Sequence, residues 1–190
     1  MVSSAHGGLA GSGTWPVGVD AALQVLAENH GRLQHECDAL LRLEAKLRGA
    51  GTGEAAHAQA AERAAAAQLR RHFDKTLAHL HQDEEQDLFP ALLESMAGSD
   101  AVCIRQMVDA RAAEHREIEW RWLALRQWLE QVETGRADLP PNGAIGSFVS
   151  LYRSHLEQED QELLPMAQRL LSDAALAQIE EAMRRRRGAG

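Results

Sequence analysis

Aromatic residues are scarce in this chain: three Phe, one Tyr and four Trp among 190 residues. β-branched residues are also few, while Ala and Leu are abundant. That balance disfavours a sheet and favours helices. Only two cysteines are present, Cys37 and Cys103. They provide no disulfide framework, so a reducing compartment is expected. There is no run of about 18 apolar residues, so no transmembrane helix is expected. The first residues carry neither a positive n-region nor an apolar h-region, which argues against a secretory signal. These absences point to the cytoplasm and away from the membrane. Basic residues are outnumbered: Lys plus Arg is 20, Asp plus Glu is 28, and the formal charge is −8. Such a surface argues against a nucleic-acid partner and weakly favours a small or cationic one.

What remains is amphipathic helix. The length fits one domain. Residues 1–18, rich in Gly and Ser, read as a flexible N-terminal arm. A first helix is expected from about Val19 to Arg48, after an Asp20 cap. Its stripe is Leu23, Leu26, His30, Leu33, Cys37, Leu40 or Leu41, and Glu44. Gly49, Gly51, Thr52 and Gly53 stop it. A second helix spans about Glu54 to Leu93, with Phe73, Leu77, His81, Glu84 or Glu85, Leu88 and Leu92 inward. Pro90 should kink or close it. A third runs from about Ala101 to Glu133, through Ile104, Arg111, His115, Ile118, Trp122, Leu125 and Leu129. The Pro-Pro-Asn-Gly turn separates it from a fourth helix, about Ala144 to Leu171. That helix turns Phe148, Leu151 or Tyr152, His155, Glu159, Leu163 and Met166 inward, and Pro165 interrupts it. The fold expected is all-α: an up-down-up-down four-helix bundle over residues 19–171. Residues 172–190 then form a short last helix, capped by Ser172 or Asp173, with a basic tail. Arg184 to Arg187 read as solvated.

Two His-x-x-x-Glu pairs stand out, His81 with Glu85 and His155 with Glu159. Residues four apart share one face of a helix. A lone histidine on an apolar face is usually structural, but a buried carboxylate is rare and needs pairing or a metal. In an up-down-up-down arrangement His30, His81, Glu85, His115, His155 and Glu159 share one slab, roughly 12–24 Å from the same end at about 1.5 Å per residue. Four imidazoles and two carboxylates exceed the needs of one four-coordinate zinc ion and suit two metals. Imidazole with carboxylate suits iron or manganese, iron where redox or oxygen chemistry is the purpose. Glu84 and Glu119 are further candidate ligands. Glu119, four residues after His115, stays open between a ligand, an acceptor for an imidazole N–H, and a surface partner of Arg116.

The ordered set is His30, then His81 with Glu85 and Leu88-Phe89-Pro90, then Glu114-His115, then His155 with Glu159 and Leu163-Leu164-Pro165. It resembles the hemerythrin-like family, also called the HHE cation-binding domain, over about residues 20 to 170. The resemblance implies Glu85 and Glu159 as bridges between two iron ions, oxo- or hydroxo-bridged, with manganese or zinc as weaker choices. It implies His30, His81, His115 and His155 as terminal ligands, and a position open to oxygen, peroxide or nitric oxide. Oxygen-carrying members have a second helix-3 histidine, and this chain has Glu119 there. Asp160 occupies the spacing of their helix-4 aspartate, but it lies about 140° around a regular helix from His155, so Glu159 faces inward better. A more anionic site favours reduction of oxygen or peroxide, or sensing, over release of intact oxygen. Three functions follow as expectations: a di-iron protein that binds or reduces oxygen, peroxide or nitric oxide; a non-catalytic iron or oxygen sensor or stress-response module; and a metal-free structural or interaction bundle. Whether there is turnover is left open.

Overall fold

A computed structural model describes residues 21–49, 58–95, 100–136 and 138–188. The elements are α1 (Ala21–Gly49), α2 (Ala60–Asp83), a first π turn (Glu84–Leu88), α3 (Phe89–Glu94), α4 (Asp100–Glu133), α5 (Ala144–Gln158), a second π turn (Glu159–Leu163), α6 (Leu164–Leu170) and α7 (Asp173–Gly188). Among the described residues the regular structure is all helical, and no helix is long and apolar enough to cross a membrane. The expected arm, the Asp20 cap and the Gly51–Gly53 turn lie outside the described residues.

The helices form because their apolar residues recur three or four apart and so make one stripe. On α1 that stripe is Leu23, Leu26, Leu33, Cys37, Leu40, Leu43 and Leu47, all buried. Glu44, expected inward, gives way to Leu43 and Leu47; it sits at the edge and accepts from Arg48 at 2.6 Å. Helix α1 packs on α2 and α5, α2 on α4, and α4 on α5, which closes a ring of contacts around the core. An aromatic layer lies one to two turns from the histidines. Phe73 stands 4.7 Å from Trp122 and 5.7 Å from Phe148, and Phe148 stands 5.7 Å from Tyr152, centroid to centroid. Burying each such side chain contributes about 1.5–3 kcal/mol, so this layer fixes the spacing of the helices at the level beneath the site.

Helix ends follow local chemistry. Gly135, at φ +100°, ends α4, and Gly143, at φ +78°, opens α5; L side chains rarely adopt either conformation. The Ser172 hydroxyl accepts from the Ala175 N–H at 3.2 Å and caps α7. Neither Pro90 nor Pro165 closes its helix. Each follows a π turn, in which Phe89 N–H bonds to Glu84 O and Leu164 N–H to Glu159 O, five residues back. The wider turn accommodates a ring without an N–H, so the chain continues helically through α3 and α6.

Candidate metal centre

Where α1, α2, α4 and α5 face one another, six polar side chains meet in the apolar core. They are His30 from α1, His81 from α2, Glu84 from the first π turn, His115 from α4, His155 from α5 and Glu159 from the second π turn. None is more than 3% exposed. Each carboxylate is divided between two sides. Glu84 turns Oε1 toward His30 Nε2 at 3.5 Å and Oε2 toward His115 Nε2 at 3.2 Å. Glu159 turns Oε2 toward His30 Nε2 at 3.6 Å, and Oε1 toward His155 Nε2 at 3.3 Å and His115 Nε2 at 3.8 Å. His81 stacks on His115 with centroids 3.8 Å apart and planes 8° from parallel. The imidazoles are thus split unevenly: His81, His115 and His155 gather on one side and His30 stands alone on the other.

Behind the imidazoles lies a ring of outer carboxylates. Nδ1 of His30 meets Asp160 at 2.7 Å, His81 meets Glu119 at 2.8 Å, His115 meets Glu85 at 2.7 Å, and His155 meets Glu114 at 2.8 Å. Glu114 also accepts from Arg111 at 2.9 Å. An Nδ1–H donated to a carboxylate leaves Nε2 with its lone pair turned inward, the tautomer a metal ligand needs. All four Nε2 atoms and all four oxygens of Glu84 and Glu159 are buried without a well-aligned hydrogen-bond partner. Each such atom costs about 1–3 kcal/mol when left unpaired. Eight of them converging from six residues fit cations and fit little else.

The sequence matches the family described as the Hemerythrin HHE cation binding domain over residues 21–167. The chain belongs to that family. No curated protein matches it. The family binds metal cations, and the convergent His and Glu atoms in this chain could hold one.

Within this hemerythrin HHE domain one expected ligand is displaced. Glu85 does not join the cluster: it is exposed, and its Oε1 receives the His115 Nδ1–H. At about 100° per residue, Glu84 and Glu85 lie about 60° and about 40° from His81 on opposite sides of it, and it is Glu84, which opens the first π turn as Glu159 opens the second, that faces inward. Glu159, four after His155, keeps its expected place. Glu119 resolves as the acceptor for His81 and stays half-exposed. Spacing along a single helix does not point to Asp160 or Glu114 as partners of His30 and His155. Their signal was available in the chemistry, since each metal-binding imidazole needs an acceptor on its second nitrogen.

Two of the imidazoles are held basic and two are held neutral. Burial alone would lower His30, but Asp160, Glu84 and Glu159 outweigh it and raise it to about 10. Glu159 and Glu84 likewise overcome burial at His115 and raise it to about 10. Burial lowers His81, and it takes His155 down to about 2. Burial pushes Glu159 up to about 7, helped by the nearby charge of Glu84. Against its own burial, Glu84 is held below the usual carboxylate range by His115 and His30. In the metal-free protein, protons on His30 and His115 therefore balance the buried carboxylate charge. A metal must displace them.

Proposed function

We propose that this protein is a non-haem di-iron protein that reduces oxygen or peroxide, or captures nitric oxide. The observation that carries the reading is the division of Glu84 and Glu159. Each offers one oxygen to the His30 side and one to the three-histidine side, which is how a carboxylate spans two cations. The ring of packed helices supports an up-down-up-down four-helix bundle as the frame, the usual setting for such a centre. Imidazole with carboxylate favours iron over zinc, and over manganese where electrons are to be exchanged.

A pair of ferrous ions, when bound, supplies the electrons for reducing a small oxidant. The chain's own part is to hold and insulate. Glu84 and Glu159 would span the ions, and His30, His81, His115 and His155 would cap them. Asp160, Glu119, Glu85 and Glu114 each hold an imidazole by its Nδ1 and so turn its Nε2 to the ions. Phe89, stacked 5.8 Å from His115, and the buried Tyr152 ring beside His81 and His155 keep bulk water away. With Glu119 committed to His81, the three-histidine side gains anionic character, which favours the ferric state and disfavours reversible oxygen release.

The test is iron analysis after anaerobic loading, with the electronic spectrum of the oxidised protein. Two irons per chain with near-ultraviolet charge-transfer bands are expected. Mixing the reduced protein with oxygen should then oxidise it without recoverable oxygen. Well under one iron per chain would favour a metal-free bundle, and a stable reversible oxygen adduct would make it a carrier.

A further inference from the structure

Helix α7 lies beyond the family match, which ends at residue 167. Its buried face, Leu176, Ile179 and Met183, packs on α1, α2 and the first π turn. Its last turn does more than end in solvent, correcting the expectation that Arg184 to Arg187 are solvated. Arg184 does stay outside, pairing with Glu180 and Glu181. Arg186 and Arg187 instead reach Asp83, the fully buried residue immediately before Glu84. Arg186 pairs with Asp83 Oδ1, and Arg187 meets Oδ2 at 2.5 Å. Arg186 also reaches into the π turn itself, to Asp87 at 2.7 Å and Gln86 at 3.3 Å.

We propose that α7 is a latch that sets the register of the first π turn, with Arg186 and Arg187 as positioning residues that aim Glu84, rather than Glu85, at the metal cluster. The proposal rests on the di-iron reading for its consequence and on the ion pairs for its cause. A π turn has poorer hydrogen-bond geometry than an α-helix and persists where its surroundings hold it. In a regular helix Glu85 and Glu84 lie about 40° and about 60° from His81 on opposite sides, so a small rotation of this segment decides which carboxylate faces the cluster. A buried Asp83 carboxylate must be paired, and its two partners both come from α7. The clamp therefore fixes the backbone one residue before the register changes, and again at Asp87 within the turn. The second π turn has no matching clamp among the described residues: Asp160 serves His30. The two turns are thus an internal control for each other.

The experiment compares the wild type with the Arg186→Ala/Arg187→Ala double variant and the Arg186→Lys/Arg187→Lys double variant, all as full chains. Amide hydrogen exchange is measured on the metal-free proteins at Phe89 and Leu164, the two amides that close the π turns. Loss of the latch should lower protection at Phe89 about tenfold or more relative to Leu164. Lysine, charged but unable to reproduce the guanidinium fork, should restore part of it. Unchanged protection at Phe89, or equal loss at both amides, overturns the proposal. Ferrous ion affinity is read in parallel and should fall about 10–100-fold in the double-alanine variant, the usual cost of a lost positioning partner. If the wild type itself binds no iron, the di-iron reading fails, and the exchange data still decide the latch.

Discussion

The two π turns carry almost the same residues: Glu84-Glu85-Gln86-Asp87-Leu88-Phe89-Pro90 and Glu159-Asp160-Gln161-Glu162-Leu163-Leu164-Pro165. Each turns its first carboxylate into the cluster and gives its second to an imidazole from another helix, Glu85 to His115 and Asp160 to His30. They differ in the histidine that precedes them. His155 stands four residues before Glu159, on the same face, and its Nε2 comes within 3.3 Å of it. His81 stands three before Glu84 and lies flat against His115. The carboxylate and the proline travel as a unit, six residues apart in both copies. The histidine is the part that moves.

The largest expected effect comes from breaking a turn's inward carboxylate. Glu159→Gln should take bound iron from two per chain to one or fewer, measured after anaerobic loading, because both sides lose a ligand oxygen. Next, the unequal histidines should show in affinity. His155→Ala should weaken ferrous binding more than His81→Ala, since His155 faces Glu159 and His81 lies outside the carboxylate group. Equal losses in a competition titration would mean that the histidine spacing does not matter.

Smaller again are the outer carboxylates. Glu85→Gln and Asp160→Asn should each weaken iron binding by about 10–100-fold without lowering the final stoichiometry. Similar costs would confirm that the two turns support their imidazoles alike. The smallest effect is in the pH dependence of metal-free stability. His30 and His115 titrate near 6.5 when unfolded and near 10 when folded, so their stabilisation is complete below about 6.5 and disappears as pH rises to about 10. Glu159, raised from 4.5 to about 7, adds a loss of the same sign between those values. Denaturant melts should therefore show stability declining from pH 6.5 to 10, with a shallower slope in His30→Gln and in His115→Gln.

Much of this was legible in the residues. The stripes of Leu, Phe and Trp placed the long helices to within a few residues, because apolar periodicity is a local signal, except that α2 begins at Ala60 and not near Glu54. It also placed His30, His115, His155 and Glu159. Helical spacing forward from His81 points to Glu85, four residues on, whereas the inward carboxylate is Glu84, three residues on. Counting back from Pro90 and Pro165 pairs Glu84 with Glu159 and recovers the observed arrangement. The outer carboxylates were harder to see. Asp160 serves His30 across 130 residues and Glu114 serves His155 across 41, so only the folded chain brings them together. The Arg186 and Arg187 clamp was hidden for the same reason: a basic helix end reads as a solvated terminus until Asp83 is found buried beside it.

The central claim is that the first π turn presents Glu84, not Glu85, to a pair of metal ions. Iron stoichiometry of Glu84→Gln and Glu85→Gln, loaded side by side under anaerobic conditions, tests it most directly. Glu84→Gln is expected to lose at least one iron and Glu85→Gln to fill completely at saturating iron. Full loading of Glu84→Gln together with loss in Glu85→Gln would contradict it.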